Sequence, residues 1–238
     1  MSNTWFRFKA FAIEQDRCAM KVSTDACVQG AWTPIAADVQ HVLDIGAGTG
    51  LLSLMLAQRN ARITVDAIEL DEAAAQQAAE NVAVSPWGDR IQVQQADARH
   101  FTGGRKYELI ICNPPFFNNS LLGTGHQRNH ARHTLSLSYE DLFRCIQTNL
   151  APSGRAAVLL PVAEHLLWEK LVREKGWHIA AQLEIAPRAG SAPNRIVSLC
   201  MPVPAPGAPT ERLAIRQAAG NDYTPEFADL LRPFYLYI

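Results

Sequence analysis

A glycine-rich turn between an apolar strand and an apolar helix is the feature that most constrains the fold of this chain. The strand HVLDI (residues 41–45) leads into Gly46, Gly48 and Gly50, and the helical stretch GLLSLMLAQR (residues 50–59) follows at once. Glycine has no Cβ, so the backbone of such a turn can approach a ligand closely. The segment therefore predicts a strand–turn–helix unit of an α/β fold, with a binding crevice at the carboxyl end of the strand.

Short β-branched runs alternate with alanine- and leucine-rich stretches over most of the chain. The predicted strands cover residues 63–70, 91–97, 108–112 and 155–161, and the predicted helices cover residues 71–82, 139–150 and 163–175. Such alternation is typical of a parallel sheet with helices on both faces. Two consecutive runs, 177–185 and 195–201, predict an antiparallel hairpin at the sheet edge, before a short strand (212–216) and a terminal helix. We expect a Rossmann-like, doubly wound, mostly parallel seven-stranded sheet with an antiparallel C-terminal hairpin.

No internal repeat and no long linker divides the 238 residues, a length compatible with one large α/β domain. We expect a single domain over residues 1–238. Residues 1–40 would cover the cofactor and substrate, residues 41–161 would form the cofactor-binding core, and residues 162–238 would complete the sheet and add the terminal helix.

The composition argues against several classes of protein. No apolar run approaches the ~18 residues that a membrane span needs, and the N-terminus lacks the apolar core of a signal peptide. The five cysteines are scattered and include no C-x-x-C pair, which fits reduced thiols in the cytoplasm better than disulfides or structural zinc. A net charge of −1 leaves room for a local basic patch but not for a basic surface throughout.

The spacing of the glycines favours an adenosine cofactor. Leu51 stands where a dinucleotide fingerprint needs its third glycine, and no P-loop motif is present. Glu69 ends the second strand of the glycine-turn unit, where a carboxylate can accept hydrogen bonds from both hydroxyls of a ribose. Asp97 and Ala98 end the next strand, where Asp97 could meet the adenine amino group or simply cap a helix or turn.

The strand ELIIC (residues 108–112) ends on Asn113-Pro114-Pro115-Phe116. Prolines often begin loops, so the segment could be only the exit of a strand. Alternatively, it brings an amide, backbone carbonyls held by rigid prolines, and an aromatic ring to one place, where they could hold a flat substrate.

Four motifs in this order resemble those of the class I S-adenosylmethionine-dependent methyltransferases: DIGAGTG (44–50), IEL (68–70), QAD (95–97) and NPPF (113–116). The last is similar to the N/D/S-P-P-Y/F/W motif of enzymes that methylate planar nitrogens. The segments QDRCAMKVSTDA (15–26), QRNHARHT (127–134) and FYLYI (234–238) extend the resemblance nearly end to end, to the bacterial valine-tRNA adenine-N6-methyltransferases. That family modifies adenosine 37 of tRNA, so the resemblance implies S-adenosylmethionine as cofactor and a tRNA anticodon loop as partner.

The resemblance implies a role for each matching residue. The implied cofactor-binding residues are Asp44, Gly46, Gly48, Gly50, Glu69, Leu70, Asp97, Ala98 and Asn113, with Thr24 and Asp25 at the methionine end. The implied catalytic residues are Asn113, Pro114 and Phe116, and the implied RNA contacts are Lys21, Phe116, Arg128, Arg132 and His133. Asp25 could equally be a helix cap. We expect a monomer without a metal ion.

An exocyclic amine on adenine is a poor nucleophile, because its lone pair is conjugated into the ring. Acceptors aimed at the N–H protons turn that lone pair towards the methyl donor. Asn113 supplies a side-chain oxygen for this purpose, Pro114 supplies a carbonyl, and Phe116 can stack on the base, which is worth ~1–3 kcal/mol. Positioning and electrostatics then carry the catalysis, and no base of high pKa is required.

Other functions remain open from the residues alone. A guanine N2-methyltransferase of ribosomal RNA fits the spacing, and a protein-glutamine N5-methyltransferase would use the same clamp, although only 40 residues precede the glycine-turn strand. A non-catalytic binding module is disfavoured by the intact acceptors. His126, His130 and His133 have helical spacing but no added carboxylate or cysteine, so we expect a basic flap with Arg128 and Arg132, or a solvated loop, rather than zinc.

Overall fold

The computed structural model describes residues 3–114, 137–204 and 209–238. In chain order, the strands are β1 (Trp5–Arg7), β2 (Ala12–Glu14), β3 (His41–Ile45), β4 (Thr64–Glu69), β5 (Ile91–Gln95), β6 (Tyr107–Cys112), β7 (Leu150–Pro161), β8 (His178–Arg188), β9 (Arg195–Met201) and β10 (Thr210–Arg216). The helices are α1 (Thr24–Trp32), α2 (Leu51–Arg59), α3 (Glu72–Ala83), α4 (Tyr139–Asn149), α5 (Val162–Glu174) and α6 (Pro225–Leu231). None of the helices among these residues is long and apolar enough to cross a membrane.

The main sheet has the strand order β10-β8-β9-β7-β6-β3-β4-β5. Strand β9 runs antiparallel to its neighbours β7 and β8, and every other adjacent pair is parallel. This confirms the expected Rossmann-like, mostly parallel sheet with a C-terminal hairpin. Because the parallel strands point the same way, their carboxyl ends share one edge of the sheet, which we call the carboxyl edge.

The sheet has eight strands rather than the seven expected, and the hairpin does not lie at its edge. Strand β9 ends at the end of the sheet opposite the carboxyl edge, and from there the chain forms β10, which pairs in parallel with β8. Leu213 of β10 is buried together with Leu183 and Ile185 of β8. Strand β10 therefore covers the outer side of β8, which the hairpin alone would have left without a neighbouring strand.

Alternate residues of the central strands face opposite layers of helices. In β6, Leu109 and Ile111 belong to the cluster that includes residues of α1, α2 and α6, whereas Ile110 and Cys112 belong to the cluster with residues of α4 and α5. Successive side chains of a strand point to opposite faces, so an apolar run buried on both sides is what a doubly covered sheet requires.

Two N-terminal elements are absent from the sequence-based expectation: the antiparallel pair β1–β2 and the helix α1. The Ser23 side chain accepts a hydrogen bond from the Ala26 N–H and caps α1. Gly30 permits close packing of α1 on α2, since a Cβ at this position would lie 2.8 Å from Sδ of Met55. Helix α1 is therefore a buried element beside the central strands.

Candidate active site

The glycine turn after β3 presents an open backbone surface. Gly46 and Gly48 have φ values of +73° and +54°, in the left-handed region that favours glycine. The N–H groups of Gly46 and Ala47 donate to the carbonyl of Ile68 at 2.9 and 3.0 Å, which ties the turn to β4. A Cβ built on either Gly46 or Gly48 would meet no other atom within 4 Å among the described residues. The turn thus leaves room for a ligand against its backbone.

Asp44 of β3 stabilises the turn through hydrogen bonds to the start of α2. It is fully buried, and its Oδ2 accepts hydrogen bonds from the N–H (3.1 Å) and the hydroxyl (2.7 Å) of Ser53, in the first turn of α2. Burial raises the pKa of Asp44 to about 6, while the bonds from Ser53 act in the opposite direction. Asp44 does not line the cavity described below, so in this structure it holds the strand and the helix in register across the turn.

Glu69, at the end of β4, contacts the same turn directly. Its Oε2 accepts from the Gly48 N–H at 2.9 Å, and its Oε1 accepts from the Asp71 N–H at 3.1 Å. Each carboxylate oxygen has a second lone pair, so both can accept a further hydrogen bond. The side chain is therefore oriented by the backbone and retains the capacity to bind a pair of hydroxyls.

A cavity of about 270 Å³ lies at the carboxyl edge, over the ends of the four strands from β6 to β5. This is near the lower end of the ~300–1,000 Å³ typical of small-molecule sites. The ends of four strands contribute to its lining: Gly46 and Gly48 after β3, Glu69 and Leu70 at β4, Asp97 and Ala98 after β5, and Asn113 and Pro114 after β6. Eight of the predicted site residues thus line one cavity, although they span almost seventy positions of the chain.

Asp97 forms a two-pronged ion pair inside this cavity. Its Oδ2 lies 2.6 Å from Nη2 of Arg99, and its Oδ1 lies 3.0 Å from Nε of Arg99. The hydrogen bonds from Arg99 lower the pKa of Asp97. Both residues line the cavity, so the carboxylate is held in place and ionised where the adenine amino group was expected. Nothing in the sequence pattern had indicated Arg99.

Asn113 carries the most informative atom of the site. Its Oδ1 is buried and has no hydrogen-bond partner among the described residues, although Asn113 and Pro114 both line the cavity. Leaving a buried acceptor without a partner costs about 1–3 kcal/mol. Five other buried atoms lack a partner among the described residues, on Gln29, Asp44, Gln58 and His165, but none of these residues lines the cavity. The arrangement is suited to a ligand that brings an N–H donor. Phe116, the third predicted catalytic residue, lies outside the described residues.

Gln29 supports this strand end and was missed by sequence reasoning. It is fully buried in α1, and its Nε2 donates to the carbonyl of Cys112 at 3.0 Å and to that of Ala157 at 3.1 Å. One side chain therefore bonds to the end of β6, directly before Asn113, and to the middle of the neighbouring strand β7. A glutamine among apolar residues was the available signal, but it has meaning only once residues 24–32 are known to form a buried helix.

The N-terminal segment closes one side of the cavity through Cys18, Ala19 and Met20. It is anchored on α3, where the Gln77 side chain accepts from the Arg17 N–H at 3.0 Å and donates to Asp16. A second anchor is Asn81, whose Oδ1 and Nδ2 bond to the N–H and carbonyl of Glu14, both at 2.9 Å. These contacts join distant parts of the chain, and the motifs gave no sign of them.

The remaining predicted residues lie apart from this cavity. Asp25 pairs with Arg195 at 3.1 Å, Thr24 lines a second cavity, and Nζ of Lys21 donates to the carbonyl of Asn3 at 2.9 Å. Gly50 caps α2 in a left-handed conformation and does not line the cavity. The roles predicted for these residues stay predictions, as do those of Arg128, Arg132 and His133, which lie outside the described residues.

Within the described ranges, no group of three histidine, cysteine or acidic side chains is placed to hold a metal ion. His126, His130 and His133 fall outside those ranges. All five cysteines are buried free thiols, and burial raises the pKa of Cys18, which lines the cavity, to about 11.

Comparisons with known proteins agree with this geometry. Residues 33–133 match the family described as the methyltransferase small domain. A predicted O-methyltransferase from Agrobacterium tumefaciens aligns with a TM-score of 0.67 at 18% identity, covering 88% of this chain and 96% of that one. A putative transferase from Pyrococcus horikoshii aligns with a TM-score of 0.59 at 18% identity, covering 84% and 72%. At these identities the alignments show the fold alone.

Curated relatives are similar over almost the whole chain. The tRNA1(Val) (adenine(37)-N6)-methyltransferase of Serratia proteamaculans is 42% identical over 98% of this chain and 90% of its own length. The enzyme of the same name from Klebsiella pneumoniae strain MGH 78578 is 43% identical over 98% of this chain and 95% of its own length. The chain therefore belongs to the family of tRNA1(Val) (adenine(37)-N6)-methyltransferases.

Proposed function

We propose that this protein transfers a methyl group from S-adenosylmethionine to the exocyclic N6 amine of adenosine 37 in valine tRNA. The observation that carries the proposal is the buried Oδ1 of Asn113, which has no hydrogen-bond partner among the described residues, in a residue that lines one cavity together with Glu69 and the glycine turn. Family membership supports the choice of tRNA over other substrates with planar nitrogens, because relatives about 40% identical carry this activity in their names.

The cavity fits the adenosine part of the cofactor. Glu69 keeps two free lone pairs beside the Gly48 backbone and would hold the ribose hydroxyls, while its negative charge would repel a 2′-phosphate. Asp97 would accept from the adenine amino group at the far end, and Ala98 would line the base. When bound, S-adenosylmethionine supplies an electrophilic methyl group on a sulfonium.

The protein's own groups would activate the amine. Asn113 Oδ1 and the Pro114 carbonyl would accept hydrogen bonds from the two N–H groups of the target amine, so that the nitrogen becomes pyramidal and its lone pair is no longer delocalised into the ring. The Oδ1 atom has no competing partner among the described residues, so it forms this bond without breaking another. Acceptors that are already oriented before the reaction stabilise the charge that develops on nitrogen at little reorganisation cost. Phe116, placed here from the sequence, would hold the base by stacking.

The macromolecular part of the proposal rests on the sequence and on the family. The anticodon loop would enter single-stranded with its bases unstacked, as is usual for sequence-specific RNA recognition. Lys21, Arg128, Arg132 and His133 would contact its backbone. The enzyme would act as a monomer in the cytoplasm, without a metal ion.

A methyl-transfer experiment tests the proposal. The purified protein is incubated with labelled S-adenosylmethionine and, separately, with unmodified valine tRNA, ribosomal RNA and a protein extract. We expect label only in the tRNA, released on digestion as N6-methyladenosine, and no label in a transcript that has guanosine at position 37. Label in N2-methylguanosine of ribosomal RNA, or in N5-methylglutamine, would replace the proposed substrate with one of the alternatives.

A further inference from the structure

Three arginines reach the carboxyl edge on the side of the sheet away from Glu69. Arg188 is the last residue of β8 and Arg216 is the last residue of β10. Arg212 lies earlier in β10, but its Nη2 donates to the carbonyl of Ser191, in the turn between β8 and β9, at 2.7 Å. All three guanidinium groups are therefore near the edge that carries the methyl-transfer cavity.

These guanidinium groups are oriented by neutral acceptors. Arg188 donates to the carbonyl of Gly220 at 2.5 Å and more weakly to that of Gln217, and Arg216 donates to the carbonyl of Asn221. In the described part of the chain, no carboxylate lies within 4 Å of Arg188, Arg212 or Arg216. A carbonyl fixes the direction of a guanidinium but does not neutralise it, so the positive charge is left for a ligand.

Arg188 and Arg216 line a cavity of about 420 Å³, together with Ser191 and Tyr223. The Arg216 guanidinium lies over the ring of Tyr223 at 4.8 Å, and that ring stacks at 4.7 Å on Phe227, which is fully buried. Arg216 is thereby anchored to the core. A planar, pre-oriented pair of guanidinium groups matches the geometry of phosphate oxygens and loses little side-chain entropy on binding.

The distance to Asn113 suits one continuous substrate. Strands β7 and β9 separate β6 from β8, and β10 lies one strand further. Adjacent strands are ~4.8 Å apart, so the ends of β8 and β10 are roughly 14 and 19 Å from the end of β6 along the sheet edge. A few nucleotides of single-stranded RNA can span this distance while one base occupies the methyl-transfer cavity.

We propose that the cavity between Arg188 and Arg216 binds backbone phosphates of the RNA that flank the target nucleotide. This inference rests on the proposed function, since it takes RNA as the substrate. Inorganic phosphate offers the same chemistry, so the experiment includes it separately.

The test measures RNA binding as a function of salt for three double variants. Arg188→Gln with Arg216→Gln removes both charges, Arg188→Lys with Arg216→Lys keeps them, and Arg62→Gln with Lys175→Gln is the matched control. Arg62, just before β4, and Lys175, just after α5, are exposed and lie towards the opposite edge of the sheet. Binding of unmodified valine tRNA is followed by fluorescence anisotropy from 50 to 400 mM salt, and S-adenosylhomocysteine binding by calorimetry. Inorganic phosphate is added separately as a competitor of tRNA for the wild-type protein.

The slope of log affinity against log salt is negative, and for single strands each lost phosphate contact makes it shallower by ~0.7. The slope of the glutamine variant should therefore be shallower by ~1.4. If both proteins bind equally at 1 M salt, this slope change corresponds to ~25-fold weaker binding at 0.1 M. The lysine variant should keep most of the slope, because it keeps the charge although it loses the bonds that hold residues 217–221. Cofactor affinity should not change in any variant.

Two results overturn the inference: a glutamine variant whose slope equals that of the Arg62 and Lys175 control, or a lysine variant that loses as much slope as the glutamine variant. The second result would show that Arg188 and Arg216 only hold the loop. The inference would also be overturned if inorganic phosphate bound the wild-type protein as tightly as tRNA does. If the wild-type protein fails to methylate tRNA, the proposed function falls first, and this result is separate from the comparison of variants.

Discussion

Replacing Asn113 with alanine should lower the activity without lowering the stability. The substitution removes the Oδ1 acceptor but leaves the Pro114 carbonyl, Glu69 and the glycine turn in place. Loss of one pre-oriented polar group at a site of developing charge costs roughly 100- to 1,000-fold in rate, about 2.7–4 kcal/mol. Because the bond to the amine strengthens as charge builds on nitrogen, the loss should appear in the rate of transfer at saturating tRNA and cofactor.

The stability of the free protein follows from the same atom. Oδ1 of Asn113 is buried and has no partner among the described residues, and an unsatisfied buried acceptor costs about 1–3 kcal/mol. Alanine removes that penalty and loses some packing in exchange. We expect the free energy of unfolding to stay equal or to rise by up to about 1 kcal/mol, whereas most point substitutions lower it by about that amount.

Single-turnover kinetics and urea unfolding of the same preparations test both halves of the prediction. Asn113→Asp is the matched control, since a carboxylate keeps acceptor oxygens at the same reach; it should transfer at least ~10 times faster than Asn113→Ala. The reasoning is refuted if Asn113→Ala turns over at a near-normal rate. It is also refuted if the alanine variant is slow only because it is clearly less stable, since Oδ1 would then have a structural partner.

Two further changes probe the cofactor side. In Glu69→Gln, the N–H of Gly48 or of Asp71 faces an amide N–H instead of an acceptor, and one acceptor for the ribose is lost. Hydrogen bonds to a charged group contribute about 1.5–3 kcal/mol. S-adenosylhomocysteine should therefore bind ~10- to 150-fold more weakly, as measured by calorimetry. The neighbouring exposed Glu72→Gln should bind normally, and equal affinities in the two variants would place the ribose elsewhere. Burial raises the pKa of Asp44 from 3.8 to about 6, so the stability associated with its neutral form is complete below pH 4 and is lost as the pH rises through 6. The free energy of unfolding of Asp44→Asn, measured in urea, should not show this loss. If the free energies of unfolding of the two proteins changed with pH in parallel, burial would not raise the pKa of Asp44.

The sequence predicted that Glu69, Asp97 and Asn113 lie together at the carboxyl edge because of one geometric rule. Carboxyl ends of parallel strands meet at one edge, so residues that end successive strands converge whatever their separation in the chain. Glu69, Asp97 and Asn113 each end or follow a strand, and all three line the same cavity. Knowing which runs are parallel strands is sufficient to bring these residues together, and the apolar runs establish that.

Contacts that depend on long-range packing could not be predicted in this way. Helix α1 is only nine residues long and includes a glycine and a glutamine, both poor signals for a buried helix. Its Gly30 is explained by Met55 of α2, and its Gln29 by backbone carbonyls of β6 and β7. The anchoring of the N-terminal segment on Gln77 and Asn81 is of the same kind. Each of these residues has meaning only through a partner distant in the chain.

Helix α1 also connects the two halves of the carboxyl edge. Near its start, Thr24 lines the arginine cavity and Asp25 pairs with Arg195, which reaches the same edge because β9 runs antiparallel. Four residues after Asp25, Gln29 fixes the strand end before Asn113, a rise of about 6 Å along the helix axis. A short, buried helix of this kind is rigid, so it fixes the distance between the site that would receive the base and the site that would receive its flanking phosphates. Holding both parts of one substrate in a fixed relation brings the amine to the acceptors without a further entropic cost at the moment of transfer, which is how binding energy far from the reacting atom can raise the rate.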